Sequence, residues 1–174
     1  AHLVYVTRPY DTLFTSAFRK RAEDNPVEPF DDLRPNMVGL TEGWVELIAA
    51  FKDCLRPRKL TVIDYAARGE SRDLLRRLTP EAPEGLVEPA RQLNLSATDA
   101  ALEALQARYR AGETLSRAQW QAVIAQHADD RAPRGFAAFS EAEVKGFRDR
   151  YARDLERLDA DPDVTVIRGA VPVS

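Results

Sequence analysis

Two short apolar runs constrain the architecture of this chain more than any other feature. Leu3-Val4-Tyr5-Val6 lacks polar alternation, the pattern of a strand buried on both faces in a parallel sheet, and Leu60-Thr61-Val62-Ile63 is a second β-rich run. Parallel strands need a long connection, usually helical, and cannot be joined by a tight turn. The intervening sequence supplies one. Pro9 stands where a helix can begin, since its missing N–H is not needed there. Leu13, Phe14, Ala17 and Phe18 then form an apolar stripe at helical spacing, and Arg19, Lys20 and Arg21 follow where cations favour the helix dipole. A third run, Val164-Thr165-Val166-Ile167, comes after the turn signal Asp161-Pro162-Asp163 and can close the sheet. The fold class expected is α/β, with a small parallel sheet, flanking helices and a mostly helical C-terminal half.

The remaining segments follow from their punctuation. Residues 24–39 contain three prolines without a sustained period and read as a long loop. A helix over Thr41–Leu55 presents Trp44, Leu47, Ile48, Phe51 and Leu55 on one face and is broken at Arg56-Pro57-Arg58. A turn at Asp64-Tyr65 leads to a helix over Ser71–Leu78, and residues 79–90, rich in Pro and Glu, read as irregular. A helix over Ala97–Ala111 stops at Gly112. Ser116-x-x-Gln119 and Ser140-x-x-Glu143 are capping boxes that open two more helices, the second with Val144, Phe147, Tyr151, Leu155 and Leu158 on one face. Such stripes normally face the domain's own core.

Composition narrows the function classes. The 174 residues suit one domain spanning the chain, and 44% apolar with 30% charged residues is ordinary for a globular protein. A formal net charge of −3 argues against a broad nucleic-acid footprint. Cys54 is the sole cysteine, which excludes an internal disulfide and a multi-cysteine zinc site and reads as a small buried apolar residue. The two histidines are far apart in sequence; His127 falls on the stripe of Trp120, Val123 and Ile124 and reads as partly buried, so no metal site is expected. No apolar run is long enough for a membrane span and no leader pattern opens the chain, so a cytoplasmic protein is expected. The Ala- and Arg-rich, Lys-poor composition points to a bacterial source. Neither Gly-x-Gly-x-x-Gly after a strand nor Gly-x-Ser-x-Gly occurs, which removes the main signatures of dinucleotide oxidoreductases and serine hydrolases.

The pattern that bears chemistry is "VYVTRPYDTLFTSAF", residues 4–18. A residue at the carboxyl end of a parallel strand points toward the crevice where open α/β sheets bind ligands. Arg8 places a planar donor fork there, the following helix offers its N-terminal N–H groups, and Ser16 adds a hydroxyl farther along that helix. Asp11 suits the first helical turn.

This segment resembles the second nucleotide-binding motif of the sulfotransferases, in which a strand ends in Arg, then Pro and Asp, with Ser one or two turns later. The resemblance implies that Arg8 and Ser16 hold the 3′-phosphate of 3′-phosphoadenylyl sulfate (PAPS), or of its product adenosine 3′,5′-bisphosphate (PAP). Pro9 follows Arg8 directly here, one position earlier than in many members. "LTVIDYAARGESRDLLRRL" is similar to the family's next strand and turn and implies a place for Tyr65 near the adenosine, although Ala66 stands where an acidic residue is expected. "RAPRGFAAFSEAEVKGFRDRY" resembles its last segment, where Arg131 or Arg134-Gly135 can stand in for the basic phosphate loop.

The phosphosulfate loop of the Pro-Lys-x-Gly-Thr-Thr kind does not occur, and the family's catalytic base also precedes the second motif. The expectation is therefore the later part of a sulfotransferase domain, an incomplete P-loop-like three-layer fold lacking its first strand–loop–helix. The implied reaction is sulfuryl transfer to a hydroxyl or amine on a small-molecule or glycan acceptor, with residues 24–39 contributing to the acceptor pocket. The alternative is a non-enzymatic helical scaffold whose strand–Arg–helix turn is structural.

Overall fold

The computed structural model describes residues 1–79, 85, 87 and 97–169. Among them the order is β1 (His2–Thr7), α1 (Tyr10–Asp24), α2 (Phe30–Val38), α3 (Trp44–Leu55), β2 (Lys59–Asp64), a 3₁₀ turn (Tyr65–Ala67), α4 (Ser71–Leu78), α5 (Asp99–Arg110), α6 (Arg117–Gln126), α7 (Glu141–Asp159) and β3 (Val164–Ile167). The protein is α/β and mostly helical. The three strands among the described residues form one sheet in the order β1-β2-β3, and both pairings are parallel, with Leu3 opposite Leu60 and Leu60 opposite Val164.

The described residues fall into two compact units. The first draws on Ala1–Tyr10, Leu40–Gln92 and Gly146–Ser174, the second on Asp11–Gly39 and Leu93–Lys145. The first contains the sheet. In the central strand β2, Leu60, Thr61, Val62 and Ile63 are all buried, whereas Leu3–Val6 of β1, expected to be buried on both faces, are half-buried because β1 lies at the edge of the sheet. The Trp44 and Phe51 rings of α3 lie 5.7 and 5.4 Å from the Tyr5 ring of β1. From α7, Phe147, Tyr151, Leu155 and Leu158 are buried at the spacing of one helical face.

The second unit is helical. Ala22, Ala97, Ala101 and Leu102 form one buried cluster, against which Val27, Ile124 and Phe136 pack. Leu105, Tyr109 and Val123 form another, joined by Trp120. The expected capping interactions are present: the Ser116 and Ser140 N–H groups donate to Gln119 and Glu143 at 2.8 Å each.

Three local expectations are corrected. Residues 24–39 are not a continuous loop, because they contain α2. Asp31 and Asp32 favour its N-terminus, and Phe30 is buried with its ring 5.1 Å from Phe18 and 5.0 Å from Phe139. That packing outweighs the backbone donor missing at Pro35 inside the helix. Cys54 is exposed, since it stands off the Trp44–Ile48 stripe of α3. Leu55 is 60% exposed, because the helix ends there and Arg56 turns left-handed at φ 43°. Apart from Thr79, Gly85 and Val87, the stretch 79–90 lies outside the described residues.

Candidate functional site

The carboxyl ends of β1 and β2 lie side by side, with Thr7 paired to Asp64 in the parallel register. Arg8 directly follows the first strand and Tyr65 directly follows the second. This register brings the Arg8 guanidinium carbon to 5.1 Å from the centre of the Tyr65 ring, within cation–π range. Tyr65 is 46% exposed, so its ring is accessible to a ligand. The Arg68 guanidinium carbon lies 5.8 Å from the same ring centre. The cause is local. In a 3₁₀ turn residues three apart eclipse one another, and the Arg68 N–H closes that turn on the Tyr65 carbonyl at 3.2 Å. Arg68 also donates to Ser71 Oγ at 3.2 Å.

A buried framework holds these ends in place. The Trp44 indole N–H donates to the Arg8 carbonyl at 3.0 Å, which fixes the backbone where β1 gives way to α1. Tyr10, at the start of α1, donates to the Asp154 carboxylate and accepts from the Trp44 N–H at 2.8 Å. Burial pushes the Tyr10 phenol well above its ordinary range, and the hydrogen bond to Asp154 adds to the rise. The space around this pair is full. A Cβ on Gly43 would press on the Tyr10 hydroxyl, Asp154 Oδ2 at 2.8 Å and Arg150 Nη2 at 2.9 Å.

Asp64 organises the end of β2. Its carboxylate accepts from the Tyr151 hydroxyl at 2.8 Å, the Ala66 N–H at 3.3 Å and the Gly169 N–H at 3.4 Å. The acid is engaged by these donors, while Arg8 and Arg68 bring positive charge to the Tyr65 ring. Two guanidinium forks beside a partly exposed aromatic ring can bind an anionic group attached to a flat ring.

Of the four residues singled out from sequence, Arg8 and Tyr65 are brought together in the first unit. Ser16 and Arg134 belong to the second. Ser16 is exposed within α1. The Arg134 guanidinium is engaged by Glu103 at 3.0 Å and Asp130 at 2.5 Å, and Arg131, its alternative, is exposed. His127 is half-buried at the C-terminus of α6, where its carbonyl accepts from the Thr98 hydroxyl at 3.0 Å. Arg68 was not singled out from sequence. The signal was its place three residues after Tyr65 in "DYAARG", which becomes informative once that segment is known to be a 3₁₀ turn.

No group of His, Cys, Asp and Glu that could hold a metal ion occurs among the described residues, and none of their helices is long and apolar enough to cross a membrane. Comparison with protein-family models, curated proteins and solved structures finds no match for this chain.

Proposed function

We propose that the first unit binds PAPS or PAP and that the chain is sulfotransferase-like. The observation that carries this reading is the meeting of Arg8 and Tyr65 at the adjacent carboxyl ends of β1 and β2, with Arg68 on the same ring. Arg8 and Tyr65 are the two first-unit residues to which the sequence resemblance gives donor-binding roles. The charge and exposure of the cluster fit a purine nucleotide bearing a phosphate near its sugar.

In this reading Arg8, aided by Arg68, holds the 3′-phosphate, and Tyr65 lies against the adenosine. PAPS, when bound, supplies the sulfuryl group on a phosphate leaving group. The contribution of these residues is to bind and orient the donor. Trp44 fixes the Arg8 backbone, while Asp64 and Tyr151 hold the turn that carries Tyr65 and Arg68. The sheet is read as part of a P-loop-like three-layer fold, and the acceptor as a hydroxyl or amine on a small molecule or glycan.

The test is calorimetric titration of PAP and of adenosine 5′-monophosphate into the protein, then into Arg8→Ala and Arg68→Ala. PAP should bind more tightly than the monophosphate. Each substitution should weaken PAP by about tenfold or more, the scale of a lost hydrogen bond to a charged group. Equal affinity for the two nucleotides, or PAP binding unchanged in Arg8→Ala, would remove the reading. Absence of binding would favour the scaffold alternative.

A further inference from the structure

The second unit contains a cavity of about 860 Å³ between α1, the 26–29 connection, the start of α2, α5 and residues 135–136. This volume lies in the range of small-molecule sites. Its apolar wall includes Phe18, Phe30 and Phe136. The Phe18 ring is tied to the other two at centroid distances of 5.1 and 5.7 Å.

Another part of the lining is fixed by a buried amide. Gln106, only 2% exposed, accepts from the Val27 N–H at 2.9 Å and donates to the Ala22 and Asn25 carbonyls at 2.8 Å each. One turn along α5, Tyr109 donates to the Glu23 carbonyl at 2.9 Å. The chain leaving α1 is thereby pinned to α5, and Pro26 and Pro29 restrict the backbone of the connection further. A cavity held in this way is formed before any ligand arrives, which lowers the entropic cost of binding.

Its charges point to a ligand class. Arg21 and Arg110 both line the cavity and are exposed. Neither guanidinium has an acidic partner among the described residues, in contrast to Arg19, Arg34, Arg108 and Arg134 of the same unit. Of the two acids that line the cavity, Asp31 lies 3.3 Å from Arg34, outside the lining, and Glu28 is exposed on the 26–29 connection. Glu28 opposes a second negative charge on a ligand, so the balance favours a monoanion.

We infer that this cavity is a binding site for an amphipathic organic monoanion. An aromatic or similarly flat apolar body packs against Phe18, Phe30 and Phe136, and one carboxylate or sulfonate is held by Arg21 and Arg110. The inference is independent of the nucleotide reading, because all its residues belong to the second unit.

Calorimetric titration with 2-naphthoate and with its neutral counterpart 2-naphthamide tests it. The acid should bind at least tenfold more tightly than the amide. In the double variant Arg21→Gln/Arg110→Gln that preference should disappear, and Phe136→Ala should weaken both ligands. Both arginines are exposed, so the double variant should retain the wild-type circular dichroism spectrum, and PAP titration of it should match wild type. Failure of 2-naphthoate to bind wild type would overturn the inference. So would equal affinity for the two compounds, or a preference for the acid that survives the double substitution.

Discussion

Tyr151 of α7 and Asp64 at the end of β2 are joined by a hydrogen bond of 2.8 Å from the phenol to the carboxylate. The Thr7 hydroxyl lies 3.0 Å from the same phenol oxygen. Because the single Tyr151 proton goes to Asp64, Thr7 is the donor in the second bond. One buried phenol thus ties together the ends of the two strands from which Arg8 and Tyr65 emerge. Tyr151→Phe keeps the ring but leaves Thr7 and Asp64 without this partner. We expect a loss of about 1–3 kcal/mol, read as a lower urea midpoint with an unchanged slope. A midpoint equal to wild type would show that the tie contributes nothing to stability.

The same phenols predict a response to alkali. Burial raises Tyr151; the hydrogen bond from Thr7 opposes the rise and Asp64 adds to it. Tyr10 is raised by burial and by its bond to Asp154, and Tyr109 by burial and then by nearby Asp24. Each folded value lies above the unfolded phenol value of 10.0. The stability they contribute is therefore complete below pH 10 and declines as pH rises through the folded values. Ultraviolet titration of phenolate should show these tyrosines ionising late, together with the loss of near-ultraviolet circular dichroism. Their full ionisation near pH 10 in a still-folded protein would contradict the buried arrangement.

What could be read from sequence was what depends on local period and punctuation. β2 and β3 were legible because Leu60–Ile63 and Val164–Ile167 are apolar runs bounded by turn signals. The helix around Ser71–Leu78 was legible, and Ser116 and Ser140 marked the starts of α6 and α7. α2 was hidden because its stability comes from Phe30 packing on Phe18 and Phe139, contacts that the proline-rich local sequence does not announce. Arg8 and Tyr65 could be singled out individually. Their meeting depends on the β1–β2 register, and the addition of Arg68 depends on a 3₁₀ turn, neither of which composition encodes. Gln106 is a similar case: a polar residue on an otherwise apolar helix face became interpretable only through the three backbone groups it satisfies.

Gly169, just beyond β3, allows the chain to approach the turn that carries Tyr65. A Cβ there would lie 2.7 Å from the Ala66 Cβ, 3.0 Å from the Ala66 carbonyl carbon and 3.2 Å from the Ala67 nitrogen. Two of these are backbone atoms, so relief requires the turn itself to move. Gly169→Ala should displace Tyr65 and Arg68 and reduce PAP affinity several-fold, with a stability cost of about 1–3 kcal/mol. Parallel calorimetry and urea melts of the variant check both parts. Wild-type PAP affinity in a folded Gly169→Ala protein would mean that the position of this turn does not set the nucleotide site.

Acid should act through Asp99 in the second unit. Burial raises its carboxyl, but Arg19 and the N–H groups of Arg134 at 2.7 Å and Phe136 at 3.3 Å outweigh that effect. The net result is a folded value below the ordinary 3.8. The unfolded chain therefore binds this proton more readily than the folded one. The associated stability is present above pH 3.8 and is lost as pH falls through the lower folded value. Asp99→Asn removes the charge and replaces one acceptor oxygen with a donor that must face either the Arg19 guanidinium or the Arg134 and Phe136 N–H groups. At neutral pH it should cost about 1.5–3 kcal/mol, the range for hydrogen bonds to a charged group. Urea melts from pH 7 to pH 3 should show the gap between wild type and variant narrowing toward the acid end. A gap constant with pH would place the effect in packing, because only the ionised carboxylate can produce the narrowing.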